Sequence, residues 1–148
     1  ETGHFGVGPD PISPLGNVPE WWSAGPNDKP GCGLYDDRYT FHLNAFKFDM
    51  VTNGDVYIHN SFEGSFPGSF QNLGDFTAPF DDQLNEQWSV VEENGEATLT
   101  VSNNSFIGFY TGVRTYKILE ISDSIMSLQY DHEPASEGLH WYLKLRAQ

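Results

Sequence analysis

From Arg38 onward, apolar and polar side chains alternate with a period of two. "RYTFHLN" sets Tyr39, Phe41 and Leu43 against Arg38, Thr40 and His42, and "AFKFDMV" sets Phe46, Phe48 and Met50 against Lys47 and Asp49. Alternation of this kind belongs to strands with one face in a core and the other toward water. "TNGD" at 52–55 follows. Asn-Gly supplies two residues tolerant of positive φ, so a tight hairpin into "VYIH" is predicted. The rhythm resumes in "QWSVVEE", "ATLTVSN", "FIGFYTG", "RTYKILEIS", "IMSLQYDH" and "LHWYLKLRA", with turns at "ENGE", Asp123-Ser124 and "EPASEG". About nine short strands, separated by turn signals every 8 to 12 residues or so, predict an all-β fold. The expected architecture is an antiparallel β-sandwich or a flattened up-and-down barrel, built largely as a meander. No segment has helical periodicity over three turns; a short helical turn fits only "DDQLNEQ" at 81–87.

Two stretches depart from the rhythm. Residues 1–34 hold most of the nine prolines and several glycines, and they read as an irregular entry segment packed on the domain. Residues 60–86 read as a long loop carrying Phe62, Phe66, Phe70, Phe76 and Phe80. Long loops in compact domains are functional or pinned by their own side chains. The whole chain, 1–148, is read as one domain. No run approaches the roughly 18 apolar residues of a membrane-spanning helix.

The aromatic residues divide by context. Strand alternation places Trp88, beside Val90, and Trp141, beside Leu139, Leu143 and Leu145, in the core with Phe41, Phe46, Phe48 and Tyr116. Trp21 and Trp22 stand apart in "PEWWSAGPNDKPG", where no alternation surrounds them. Successive side chains of an extended segment point to opposite sides, so both indoles cannot face one core. One of them is expected to lie open as a flat shelf. The axial C–H face of a pyranose matches such a shelf through dispersion and the hydrophobic effect. Asn27 and Asp28 follow with groups that bond hydroxyls, Tyr35 and Tyr110 offer further rings, and Arg114 offers a further polar contact. Tyr110 sits in "FIGFYTGVR" between two glycines, which let another group approach the backbone.

Charge narrows the partners. Twenty-one acids against seven Lys plus Arg give a formal net charge of −14. Nucleic acid and anionic membrane surfaces need clustered Lys and Arg, and are excluded as partners. A neutral ligand or a divalent cation suits the acidity. Asp36 and Asp37 are the best hard-oxygen pair for a structural calcium ion; turn capping, or pairing with Arg38, is the competing use. Cys32 is the single cysteine, so no intrachain disulfide and no thiolate cage can form. No H-E-x-x-H, G-x-S-x-G or phosphate loop occurs. Glycoside hydrolysis needs two carboxylates across a cleft. The nearest approach to E-x-D-x-x-E, "LEISDS" with Glu120 and Asp123, has the wrong spacing. The chain is therefore read as non-catalytic and as requiring no cofactor.

The blocks "GHFGVGP", "EWWSAGPNDKPGCGLYDDRYTFHL", "TNGDVYIHN", "FPGSF", "GDFTAPF", "GFYTGVRTYKILEISD" and "LHWYLKLR" together resemble a module of secreted or surface-attached multimodular proteins of Bacteroidota. Such modules often stand beside polycystic-kidney-disease-type repeats. The resemblance implies a lipocalin-like or sandwich-like all-β domain, outside the cell or on its surface, acting as a monomer within a larger chain. It also implies a polysaccharide ligand, β-glucans such as laminarin among them. The site residues above come from the residues themselves and not from the resemblance. Two other readings compete: a lipocalin-like carrier whose Phe-rich faces line a cavity for a small apolar ligand, and a structural spacer with both indoles buried.

Overall fold

The computed structural model describes residues 4–9, 15–133 and 138–148. The chain is all-β and sandwich-like in class. The strands are β1 (Phe5–Pro9), β2 (Trp22–Ser23), β3 (Arg38–His42), β4 (Lys47–Val51), β5 (Gly54–Ile58), β6 (Phe70–Asn72), β7 (Asp75–Phe80), β8 (Gln83–Glu93), β9 (Glu96–Val101), β10 (Thr115–Ile121), β11 (Ile125–Asp131) and β12 (Leu139–Arg146). They form a nine-stranded sheet of order β2-β1-β12-β11-β10-β9-β8-β4-β3 and a three-stranded sheet of order β5-β7-β6. The large sheet is antiparallel and does not close into a barrel. Two compact units divide the chain: Glu1–Asp28 with Val90–Leu99 and Thr115–Gln148, and Lys29–Ser89 with Thr100–Arg114.

In the first unit the entry segment is more regular than its composition predicts. Phe5–Pro9 pairs along β12, Val7 opposite Trp141 and Phe5 opposite Leu143, and Trp22–Ser23 pairs on its other side. Gly6 and Gly8 make this possible. A Cβ on Gly6 would stand 2.5 Å from the Trp22 carbonyl oxygen and 2.6 Å from Pro19 Cβ; one on Gly8 would stand 2.7 Å from the Val18 carbonyl oxygen. The 18–22 segment can lie this close only because both side chains are missing. Gly6→Ala should therefore cost about 1–3 kcal/mol, the usual penalty of overpacking, read as a fall in melting temperature. A Gly6→Ala protein as stable as the parent would show that the segment does not need this close approach.

The core of this unit is aromatic. Phe5 stacks on Trp141 at 5.4 Å and 9°, and Tyr116 meets Tyr130 at 5.2 Å. The Trp141 indole donates to Nδ1 of the buried His132 at 3.4 Å. Tyr142 lies on the strand face opposite Trp141, and it is buried as well. Gln129 Nε2 donates to its hydroxyl at 3.0 Å, and its ring edge lies 3.4 Å from the position a Gly8 Cβ would take. β12 is therefore covered on both faces over Trp141–Leu143.

In the second unit β3 and β4 pair as the alternation predicts, Phe41 opposite Phe48 and Tyr39 opposite Met50. Asn53 and Gly54 take positive φ, 55° and 104°, as Asn-Gly implies. The turn is nevertheless no hairpin. β4 pairs with β3 and β8, and β5 pairs with β7. Residues 52–54 form a corner between two sheets. Thr52 N–H donates to Asp82 Oδ1 at 2.8 Å, its hydroxyl donates to the Phe80 carbonyl at 2.6 Å, and Asn53 Nδ2 donates to the Asp36 carbonyl at 2.7 Å. Residues 60–86 hold structure as well: a 3-10 turn at Asn60–Ser65, then β6, β7 and the start of β8. "DDQLNEQ" enters a strand and not a helical turn.

Phe41, Phe46 and Trp88, assigned to the core, lie at its rim, and Val90 is exposed. Ala45 and Phe46 both adopt left-handed backbone, φ 56° and 50°, just before β4 begins at Lys47. That break lifts Phe46 out of the alternation, and it stands 57% exposed. Trp88 is half-buried; it meets Phe46 edge-on at 5.4 Å and donates its indole N–H to the His42 carbonyl at 3.1 Å.

Candidate functional site

The adjacent tryptophans diverge. Trp22, in β2, turns its ring edge-on to Phe5 at 5.8 Å and 81° and is 41% exposed. Trp21 is 56% exposed. Its backbone N–H donates to the Val7 carbonyl at 3.1 Å, which fixes the Cα while the side chain reaches into solvent. A backbone tie with an open ring is the arrangement a stacking shelf needs, because ring position is set before a ligand arrives.

Asn27 and Asp28, in the same unit, form a turn. Asp28 N–H donates to the Gly25 carbonyl at 3.3 Å, Asp28 Oδ2 accepts from the Gly25 N–H at 2.5 Å, and Asn27 sits at φ 59°. One Asp28 oxygen is thus committed to the turn. Both residues are exposed. The Asn27 amide and the other Asp28 oxygen are the polar groups this turn offers to a hydroxyl.

The remaining predicted residues belong to the second unit. The Tyr35 hydroxyl accepts from the Lys29 backbone N–H at 3.1 Å. The Lys29 ammonium bonds the Leu73 carbonyl at 2.7 Å and the Tyr57 hydroxyl at 3.3 Å, so this cation serves the fold. Tyr110 is half-buried among Phe62, Phe66 and Phe106, with centroids 4.9–5.1 Å apart. Arg114 lies over its ring at 6.0 Å. Tyr110 and Arg114 are brought together; Tyr35 is held separately, through Lys29.

Asp36 is exposed, whereas Asp37 is 7% exposed. Asp37 Oδ2 accepts from the Tyr39 hydroxyl at 2.8 Å, and Oδ1 is buried with no hydrogen-bond partner. Burial pushes its carboxyl up to about 8; the Tyr39 hydrogen bond opposes this, and the charges of Asp36 and Asp55 add to it. Among the described residues no group of three or more His, Cys, Asp or Glu side chains is placed to hold a metal ion. Burial likewise pushes the Cys32 thiol up to about 11, which leaves almost no thiolate for nucleophilic chemistry at neutral pH. Asn103-Asn104-Ser105 has the N-x-S form of a glycosylation acceptor, but Asn103 Nδ2 donates to Glu86 Oε2 at 2.6 Å, and Ser105 is buried.

Alternation alone misses the Phe46–Trp88 rim. A signal was present at Asn44-Ala45, where the apolar positions pass from odd numbers (39, 41, 43) to even ones (46, 48, 50). No protein-family model matches the chain, and no curated protein matches it either.

Proposed function

We propose that this chain is a non-catalytic carbohydrate-binding module that takes a neutral polysaccharide, most simply a β-glucan such as laminarin, onto the indole of Trp21. The observation that carries the reading is the open, backbone-tied Trp21 ring. Asn27 and Asp28, exposed on a turn of the same unit, supply polar groups for hydroxyls, and Trp22 braces the segment against Phe5. A single shelf of this kind gives weak binding, micromolar to millimolar in order of magnitude, which attachment beside other modules would raise. The setting that suits such a module is extracellular, on a larger surface-attached chain. The carrier reading draws on a closed calyx, and the sheet here is open. The spacer reading requires both indoles buried, and both are exposed.

Calorimetry and affinity electrophoresis against laminarin and a panel of soluble neutral glucans test the proposal. Retention by at least one glucan, with acrylamide quenching of tryptophan fluorescence relieved by that glucan, is the expected result. No retention by any member of the panel defeats it.

A further inference from the structure

Arg114 differs from Lys29, Arg38 and Lys47, whose side-chain donors meet carbonyl or hydroxyl oxygens of the fold. Acids outnumber Lys plus Arg by 21 to 7, yet Arg114 has no acidic partner among the described residues. Its Nε is buried without an acceptor, while the residue as a whole is only half-buried. Its carbonyl is engaged, accepting from the Val101 N–H at 3.1 Å, so the backbone at this point is anchored. The guanidinium lies over the Tyr110 ring at 6.0 Å, and that ring is braced edge-on by the half-buried Phe62 and Phe66, each at 5.1 Å. Gly108 and Gly112, at φ 68° and 91°, turn the loop that carries Tyr110.

A guanidinium without a counter-charge leaves donors unmet and a charge partly desolvated. Where a cation of this chain serves structure, oxygens of the fold take its protons, as at Lys29 and Arg38. Among the described residues no such oxygen meets Arg114 Nε, which points to an acceptor that arrives from outside. The fork geometry of guanidinium matches a carboxylate better than it matches a single hydroxyl. Beside it, the faces of Tyr110, Phe62 and Phe66 provide the apolar surface that a pyranose C–H face prefers.

We infer that Arg114 and Tyr110 form a subsite for the carboxylate of a uronic acid residue; that the carboxylate is a sugar's rests on the polysaccharide reading above. The net charge of −14 sets the density of that ligand. A polymer charged at every residue is repelled over a Debye length of about 8 Å at physiological salt. A neutral backbone with isolated uronates escapes most of this repulsion and still delivers one carboxylate to one guanidinium.

Affinity electrophoresis with glucuronoxylan, and with the same polymer after its carboxyl groups are reduced to alcohols, tests the inference. Native polymer should retard the protein, and reduction should weaken retention about tenfold or more. Arg114→Gln should lose the same preference, and Arg114→Lys should keep part of it, since it retains charge without the fork. Arg114→Gln should also melt at or above the parent's temperature, because it removes a charge with no ion-pair partner among the described residues. Equal retention by native and reduced polymer overturns the subsite, as does a marked drop in melting temperature for Arg114→Gln. Free glucuronate should compete with the polymer and acetate should not; equal competition by acetate overturns the sugar. Laminarin retention with no carboxylate preference refutes this subsite alone. Glucuronoxylan retention that depends on Arg114, without laminarin binding, refutes the Trp21 reading alone.

Discussion

Raising the pH from about 4 to about 8 should strip the folded chain of up to about 5 kcal/mol of stability, the consequence of one buried carboxyl. Asp37 titrates near 8 when folded and near 3.9 when unfolded. Below the lower value both states hold the proton and the full contribution is present. Between the two values only the folded state holds it, so each unit of pH favours unfolding by about 1.4 kcal/mol. Above the upper value the loss is complete. Asp55, raised by burial and by Asp36, acts in the same direction. Asp49, lowered by hydrogen bonds from the Asn85 N–H and His42, acts in the opposite sense, and only at the acidic end. Urea unfolding at steps across this window measures the slope. Asp37→Asn keeps an oxygen to accept from Tyr39 and has no proton to lose, so its slope should be nearly flat and it should exceed the parent in stability near pH 8. Parallel slopes for parent and variant would refute the assignment. Millimolar calcium near pH 8 adds a second arm. An ion on Asp36 and Asp37 would restore the lost stability; with Oδ2 held by Tyr39 and no metal cage among the described residues, no restoration is expected.

The parts of the fold that the sequence made legible are those governed by nearest-neighbour chemistry. Alternation found β3, β4 and β8 through β12 because a half-buried strand must alternate. The Asn-Gly pairs at 53–54 and 94–95 take positive φ at all four positions because few other residues do so at low cost. What followed the first of these was not legible. A turn fixes local direction but not partner choice, and Asp82, Phe80 and Asp36, all distant in sequence, make residues 52–54 a corner. β1 was hidden because Gly6 and Gly8 occupy one face of it; the missing side chains that serve close approach also erase the apolar-polar contrast. Phe46 was misassigned because a left-handed pair at 45–46 resets the phase of the strand; the sequence shows that the phase changes at 44–45 but not that the backbone turns left-handed there.

The candidate site was legible to a similar degree, for similar reasons. That two adjacent indoles part is a property of extended backbone; here Trp22 meets Phe5 edge-on, and both indoles are exposed, Trp21 the more so. Tyr110 with Arg114 was foreseeable only as residue types. Their mutual contact, and the absence of an acceptor for Arg114 Nε among the described residues, depend on how distant segments come to rest.

The two indoles make separable contributions, and substituting them one at a time should show it. Trp21→Ala should weaken binding to the best neutral glucan about 5- to 30-fold, the equivalent of roughly 1–2 kcal/mol for one stacked ring. Its melting temperature should stay close to the parent's, because an open ring contributes little to the core. Trp22→Ala should behave differently. Its ring covers the edge of Phe5, which itself stacks on Trp141, so truncation uncovers the centre of the first unit's core and should lower the melting temperature by several degrees. Any loss of glucan binding in Trp22→Ala should be recovered by Trp22→Phe, which restores a ring against Phe5, whereas Trp21→Phe should keep only part of the affinity because its shelf is smaller. Calorimetric titration beside thermal melts of the four variants resolves the two roles. A Trp21→Ala protein that binds glucan as the parent does would remove the indole from the site.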